Sequence, residues 1–238
     1  MEIILEHVSV RVNGKTIIRD ISFHIDGPCL YFLLGRNGSG KSTLLKTIAG
    51  LIPYTGKILI NGKELREYAR RKLVRLIGFI WQNPFYGFFE SNVEREIRFI
   101  LKNVGDSNSR FHELVEYFGL IKLLKRSPFT LSGGEAKRVE LCSVLVANQQ
   151  IYLMDEPEGE LDFDGLDKLV KFIERESTSR LILVATHNTL LAYKLRRCIR
   201  KCIFIDNGEI AGIYSPEVLE NEEFLVQIGI VPIYWWQS

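Results

Sequence analysis

Residues 35–43 read GRNGSGKST, set between an apolar run, Leu30–Leu34, and a segment, Ser42–Ala49, that reads as a helix ended by Gly50 and Pro53. From Gly35 to Ser42 the stretch fits GxxxxGK[ST], and a strand before it and a helix after it are the setting that pattern requires. Glycines let backbone amides turn inward around phosphate oxygens, and the start of the helix adds positive potential. Lys41 reaches the outer phosphates, and the Ser42 hydroxyl is suited to ligate Mg²⁺. Gly35, Arg36, Asn37, Gly38, Ser39, Gly40, Lys41, Ser42 and Thr43 are therefore the candidate nucleotide-binding residues.

Working outward, residues 2–34 are rich in Ile, Val, Leu and Phe and are broken at Asn13-Gly14 and Gly27-Pro28, which predicts short strands joined by turns. Lys57–Ile60 and Leu76–Trp81 read as further strands. From Val93 to Lys125 the apolar period becomes helical, at Val93, Ile97, Ile100 and Leu101 and again at Leu114, Val115 and Phe118. Glu135–Val146 and Leu166–Ile173 read as helices, Ile151–Met154 and Leu181–Ala185 as buried strands, and Ile203–Ile205 as a strand before an Asn207-Gly208 turn. Strands alternating with helices predict an α/β fold whose mainly parallel sheet is covered on both faces. Residues 103–110 (NVGDSNSR) are the most loop-like stretch.

With 46% hydrophobic residues in 238, the chain can bury a core for one domain or two closely joined lobes. A net charge of +2 with acids and bases interspersed presents no dominant basic surface, so no nucleic-acid partner is expected. The start lacks a basic segment leading into an apolar one, and no stretch approaches the roughly 18 uninterrupted apolar residues of a membrane span, which predicts a cytoplasmic protein. Cys29, Cys142, Cys198 and Cys202 lie in apolar segments without CxxC spacing and read as free thiols.

Residues 154–164, MDEPEGELDFD, gather six carboxylates beside this phosphate-binding pattern. The strand Ile151–Met154 delivers Asp155 and Glu156 at its C-terminal end, where open α/β sheets place their ligands. Asp155 is suited to hold Mg²⁺ and Glu156 to orient and polarise an attacking water. Asp164 and Asp167 read as a helix cap and a first-turn acid.

With Leu131-Ser132-Gly133-Gly134-Glu135 ahead of Asp155-Glu156, the chain resembles an ATP-binding-cassette (ABC) ATPase over nearly all of residues 1–215. The resemblance implies a P-loop NTPase core with a mainly parallel sheet, an N-terminal antiparallel β subdomain and an inserted helical subdomain. It divides the chain into a core of residues 1–84 and 136–214, a helical signature subdomain of residues 85–135, and a tail of residues 215–238. It further implies that Ser132, Gly133 and Gly134 meet the γ-phosphate held by an opposing subunit, so that two chains sandwich two ATPs with Mg²⁺. A hydroxyl, two unshielded amides and a helix N-terminus do suit an anion. Gln82 matches the family's glutamine that senses Mg²⁺ and water, and His187 its γ-phosphate histidine.

Two departures from the family pattern stand out. Where an aromatic usually stacks on adenine in the first hairpin, this chain has Val12, which predicts weak discrimination between bases; Arg11 alternates to the opposite face. After Glu156, where the family carries small or neutral residues before Leu161-Asp162, this chain has Glu158 and Glu160. In a homodimer these would approach their own copies, so a heterodimer with a different cassette is weakly favoured.

Gln82-Asn83-Pro84 followed by aromatics, Asn92–Phe99, and Ser127-Pro128-Phe129 resemble the ATPases of energy-coupling-factor importers for vitamins and transition-metal ions. That resemblance implies integral membrane transport subunits as partners and a peripheral place on the cytoplasmic face of the cell membrane. Phe85, Tyr86, Phe88 and Phe89 are expected as an exposed patch receiving such a subunit. The apolar tail Ile228–Trp236 is expected to pack on its own domain or on a partner. A soluble ABC ATPase acting on nucleic acid or ribosomes is the alternative.

Overall fold

A computed structural model describes residues 1–104 and 110–232. Two sheets organise it. β1 (Glu2–Val12), β2 (Lys15–Asp26), β4 (Thr55–Ile60) and the short β5 (Lys63–Glu64) form an antiparallel sheet in the order β2-β1-β4-β5. The larger sheet runs β10-β9-β3-β8-β7-β6, built from β3 (Cys29–Leu34), β6 (Ile77–Ile80), β7 (Ile151–Asp155), β8 (Leu181–Thr186), β9 (Ile199–Asp206) and β10 (Glu209–Tyr214). Its strands are parallel except β10, which pairs antiparallel with β9.

The central strands carry apolar side chains on both faces, as a doubly covered parallel sheet demands. On β3, Tyr31 and Leu33 enter one core with α1 (Lys41–Ile48) and the antiparallel sheet. Leu30, Phe32 and Leu34 enter the other. That second core includes residues of α3 (Val93–Val104), α4 (Phe111–Tyr117), α5 (Gly133–Leu145) and α6 (Phe163–Glu176), so the helical segment shares its interior with the sheet.

The parallel α/β architecture, the N-terminal strands and the switch to helix at Val93 are as expected. The helical stretch resolves into α3 and α4, followed by single turns at Ile121–Leu123 and Pro128–Thr130. Of the loop-like residues, Asn103 and Val104 close α3, while 105–109 lie outside the described residues. Two strands and three helices were not anticipated: β5, β10, α2 (Arg70–Leu76), α7 (Thr189–Lys194) and α8 (Glu222–Gln227). The three helices have six or seven residues, too short to show a full apolar repeat, and α2 buries none of its side chains.

The cap of α6 corrects the sequence reading. Asp162, not Asp164, is the cap, accepting the Gly165 N–H at 2.8 Å. Asp164 and Asp167 instead pair with Lys168 and Lys171 one turn on. The cysteines are free, with Cys142 and Cys202 buried and their thiols pushed up by burial. Ile230 is buried and the Val231 carbonyl accepts from the Thr189 hydroxyl at 2.7 Å, so this part of the tail packs on its own fold. Tyr234, Trp235 and Trp236 lie outside the described residues. Among the described residues no helix is long and apolar enough to cross a membrane.

Candidate active site

Four adjacent strands of the large sheet, β3, β8, β7 and β6, end side by side and deliver in turn the glycine loop, Thr186–His187, Asp155–Glu156 and Trp81–Gln82. A crevice beyond the carboxyl ends of parallel strands is where such sheets bind ligands. Here it is an open cavity of about 350 Å³ lined by Ile17, Asn37, Gly38, Gly40, Lys41, Ser42, Thr43, Gln82 and Glu156.

The loop keeps its shape because glycine is required at two close approaches. At Gly40 φ is 109°, and a Cβ there would lie 2.8 Å from Ile18 Cδ1. A Cβ on Gly35 would fall 2.3 Å from the Ile205 carbonyl. Lys41 is buried and donates to the Gly35 and Arg36 carbonyls at 2.7 and 3.0 Å. Burial lowers its pKa, opposed by Glu156, Asp155 and Glu158. Not every residue of the motif faces the cavity. Arg36 turns to Asp206 and Asn207 instead, and the Ser39 hydroxyl is buried without a partner beneath the loop.

Asp155 is fully buried. Its Oδ1 accepts the Ser42 hydroxyl at 2.8 Å, and its Oδ2 has no partner. Burial raises its pKa, with the Ser42 hydrogen bond acting the other way. A hydroxyl from the start of α1 and a carboxylate from the end of β7, one carboxylate oxygen unpaired, form an all-oxygen donor set that fits Mg²⁺.

Glu156 follows in a left-handed backbone conformation, φ 45°, uncommon for a residue with a side chain and concentrated at functional sites. Its carboxylate is held from two sides. Gln82 Nε2 donates to Oε2 at 3.0 Å, and His187 Nδ1 lies 2.8 Å from Oε1. Three strand ends thus converge on one carboxylate at the edge of the phosphate cavity, an arrangement able to take a proton from a bound water.

The other acids of the stretch part company. Glu158, expected on a loop surface, is half-buried with its carboxylate turned inward: it accepts the Thr186 hydroxyl, and its enclosed Oε2 has no partner. Burial raises its pKa. Glu160 stays exposed, φ 65°, and lies against the start of α5: a Cβ on Gly133 would meet its Oε2 at 2.6 Å.

Ser132, Gly133 and Gly134 do not line the cavity of their own chain. They open α5 with a capping box, Ser132 Oγ accepting the Glu135 N–H and Glu135 accepting the Ser132 N–H at 2.9 Å. Val12 is also outside the cavity lining. A register shift between the Val10–Ile18 and Arg11–Thr16 pairs leaves Ile17 as the hairpin residue that lines it. Arg11 lines a separate groove with Ser9, Thr16 and Tyr54.

The expected aromatic patch is divided. Phe88 is buried at 7% exposure, packed edge-on to Phe85 and Phe129, whereas Tyr86 is 74% exposed. Phe85 and Phe89 are exposed like Tyr86, so of the four expected rings Phe88 alone is buried. Sequence reasoning also missed Lys137 and Glu140, whose spacing reads as an ordinary exposed helix pair.

A family model of ABC transporters matches residues 18–159, which include the glycine loop, Ser132–Gly134 and Asp155–Glu156. The chain belongs to the ABC transporter ATPases. This ABC ATPase is 32% identical to the energy-coupling factor transporter ATP-binding protein EcfA2 of Caldanaerobacter subterraneus, over 97% of this chain and 85% of the relative. It is 36% identical to a putative ABC transporter ATP-binding protein of Pyrococcus horikoshii, over 83% and 76% of the two chains. Its fold is shared with the ATP-binding subunit of an ABC transporter at a TM-score of 0.81 and 22% identity, covering 96% of this chain and 95% of the other. CbiO1 of Clostridium perfringens, part of the complex cbiONQ, superposes at a TM-score of 0.75 and 24% identity, covering 94% and 92%.

Proposed function

We propose that this ABC ATPase binds and hydrolyses MgATP to drive an energy-coupling-factor type importer of a vitamin or a transition-metal ion. The observation that carries its catalytic half is the Glu156 carboxylate held between Gln82 and His187 at the edge of the glycine-loop cavity. Support for the importer class comes from its likeness to EcfA2 over nearly the whole chain. In this reading residues 1–84 and 136–214 are the ATPase core, 85–135 the helical signature subdomain and 215–238 the tail.

Each residue has a defined part. The amides of Asn37–Ser42 cradle the phosphates, and Lys41, seated at the cavity wall, turns its ammonium from the loop carbonyls to the outer phosphates. Ser42, Asp155 and Gln82 would hold Mg²⁺, which would supply neutralisation of charge on the phosphates. Glu156 accepts the proton of the attacking water, while Gln82 and His187 fix the carboxylate, and His187 meets the γ-phosphate with its second ring nitrogen. Water is thereby aimed at phosphorus before the bond to ADP breaks.

Ser132–Gly134 do not line this cavity, which fits a part in trans: their helix start would complete the site of a second cassette in a nucleotide-sandwich dimer. The subunit sits peripherally on the cytoplasmic face of the membrane. A cavity of about 180 Å³ beside α2, α3 and α5, lined by Val74, Trp81, Phe88, Glu96 and Glu140, adjoins exposed Tyr86 and would seat a cytoplasmic segment of an integral membrane subunit.

The test is Glu156→Gln against Lys41→Ala. Loss of a positioned general base is expected to slow steady-state phosphate release by roughly a hundredfold or more with MgATP binding retained. Lys41→Ala is expected to weaken nucleotide binding itself. Near-normal turnover in Glu156→Gln would remove Glu156 from its role.

A further inference from the structure

Helix α5 carries an ion pair that never meets water. Lys137 is 0% and Glu140 2% exposed, with Nζ 3.0 Å from Oε2 one turn along the same helix. Taking two such charges out of water is unfavourable unless the remaining protons and lone pairs find partners, and apolar side chains of the same size would often pack as well. Here they do find partners, all on one short piece of backbone. Besides its bond to Glu140, Lys137 Nζ donates to the Trp81 carbonyl at 2.6 Å and the Gln82 carbonyl at 3.2 Å. The second Glu140 oxygen accepts the Trp81 N–H at 2.5 Å.

The two residues so held are the first beyond the sheet. β6 ends at Ile80, so Trp81 and Gln82 have no ladder of strand hydrogen bonds to fix them. Gln82 nonetheless has to present its amide to Glu156 across 3.0 Å. Lys137 stands one turn from Gly133 on the helix that Ser132 caps. A helix is stiff over a turn, so whatever turns the start of α5 turns the Lys137–Glu140 pair, and the pair carries the Gln82 backbone with it.

We infer that Lys137 and Glu140 are positioning residues that lock Gln82 to the helix bearing Ser132–Gly134, so that Gln82 and the helix start move as one body. The pair touches no nucleotide; it acts through Gln82. Burial pushes the Glu140 carboxyl up to about 6, against the pull of Lys137, which marks how closely the protein surrounds the pair. The inference rests on Gln82 serving ATP hydrolysis, so Gln82→Ala accompanies the test.

The full chain carrying Lys137→Met/Glu140→Leu replaces the pair by uncharged side chains of similar size. Its thermal midpoint is expected below the parent's, because the Trp81 N–H and the two carbonyls lose their partners. Magnesium-free ATP binding, set by the glycine loop, is expected to stay unchanged. The ATPase kcat is expected to fall about tenfold to a hundredfold, the range a small misplacement away from the chemistry can produce, with KM for ATP little altered. The Mg²⁺ concentration for half-maximal activity is expected to rise. Should that variant not fold, Lys137→Gln/Glu140→Gln, uncharged and too short to span both carbonyls, carries the same expectations. A folded variant with the parent's kcat and Mg²⁺ dependence overturns the inference, as does a fall in kcat matched by lost nucleotide binding. If Gln82→Ala slows turnover and the double variant does not, the locking alone fails. If Gln82→Ala behaves as the parent, the reading of Gln82 falls and the inference falls with it.

Discussion

The mouth of the large sheet and the helical joint beside it both position polar groups around one cavity, yet they do so by opposite means. At the mouth, position is set by the chain itself: strands end in register, glycines turn at Gly35 and Gly40, and Asp155 and Glu156 arrive wherever β7 stops. In the joint, position is set by burial across distance, with Lys137 reaching backbone 55 and 56 residues away and Phe88 locked between Phe85 and Phe129. Chemistry near phosphate depends on short local patterns, whereas coupling between parts depends on contacts between distant ones.

The comparison is broken most directly at Phe88. As a buried member of the core shared by sheet and helices, Phe88→Ala is expected to cost about 3–5 kcal/mol. Tyr86→Ala, two residues away but 74% exposed, is expected to change stability by no more than about 0.5 kcal/mol. Urea unfolding of the two variants checks this. Equal losses would mean that the joint is organised by sequence proximity after all. Under the proposed function Tyr86→Ala is also the cleaner probe of docking, since it leaves the cassette intact.

How much of the molecule was legible follows the same division. The glycine loop, Asp155 and Glu156 were legible because each is tied to a strand end or a turn whose residue types are dictated locally, whereas Gln82 and His187 were singled out only by the family resemblance. The strands themselves were legible from apolar runs bounded by Asn-Gly and Gly-Pro. Phe88 was misplaced because burial of one ring in four neighbours depends on Phe129, which is remote in sequence. The cap of α6 was placed two residues late, since Asp162 and Asp164 each offer a cap oxygen and only the start of the helix decides between them. Ile17 lines the cavity through a register shift that no periodicity marks. The Lys137–Glu140 pair was invisible because an i,i+3 ion pair looks alike on a wet face and in a dry core.

Glu158 offers a smaller test, placed within the mouth. Its folded pKa is raised by burial, so the native state favours its protonated form. The stability it contributes is therefore present below its unfolded pKa and is lost as pH rises through its folded value. Glu158→Gln keeps an acceptor for Thr186 and removes the charge. The variant is expected to melt higher than the parent at pH 8, and the advantage is expected to vanish near pH 4. Thermal midpoints across that range check the sign; a variant less stable at pH 8 would show that the buried carboxylate is satisfied as an anion.

The smallest expected effect concerns which cassette completes the sandwich, and the fates of Glu158 and Glu160 sharpen it. In the proposed dimer this loop runs close to its own copy, so both glutamates were expected to repel their counterparts. The bond from Thr186 turns the Glu158 carboxylate inward, leaving the exposed Glu160 to carry most of the repulsion. Glu160 is itself partly compensated, since its carboxylate lies at the start of α5, where the helix dipole is positive. Two like charges about 8 Å apart then bias self-association by about twofold to thirtyfold at effective dielectrics between about 80 and 20, and salt reduces it further. Sedimentation of Glu156→Gln with MgATP at low salt, alone and combined with Glu160→Gly, measures the bias. Neutralising Glu160 is expected to tighten the homodimer, and adding Glu158→Gln is expected to leave it unchanged. A homodimer equally tight with Glu160 present or absent removes the reason to favour a different cassette as partner. Tightening by Glu158→Gln alone would mean that this carboxylate reaches the interface from its buried seat.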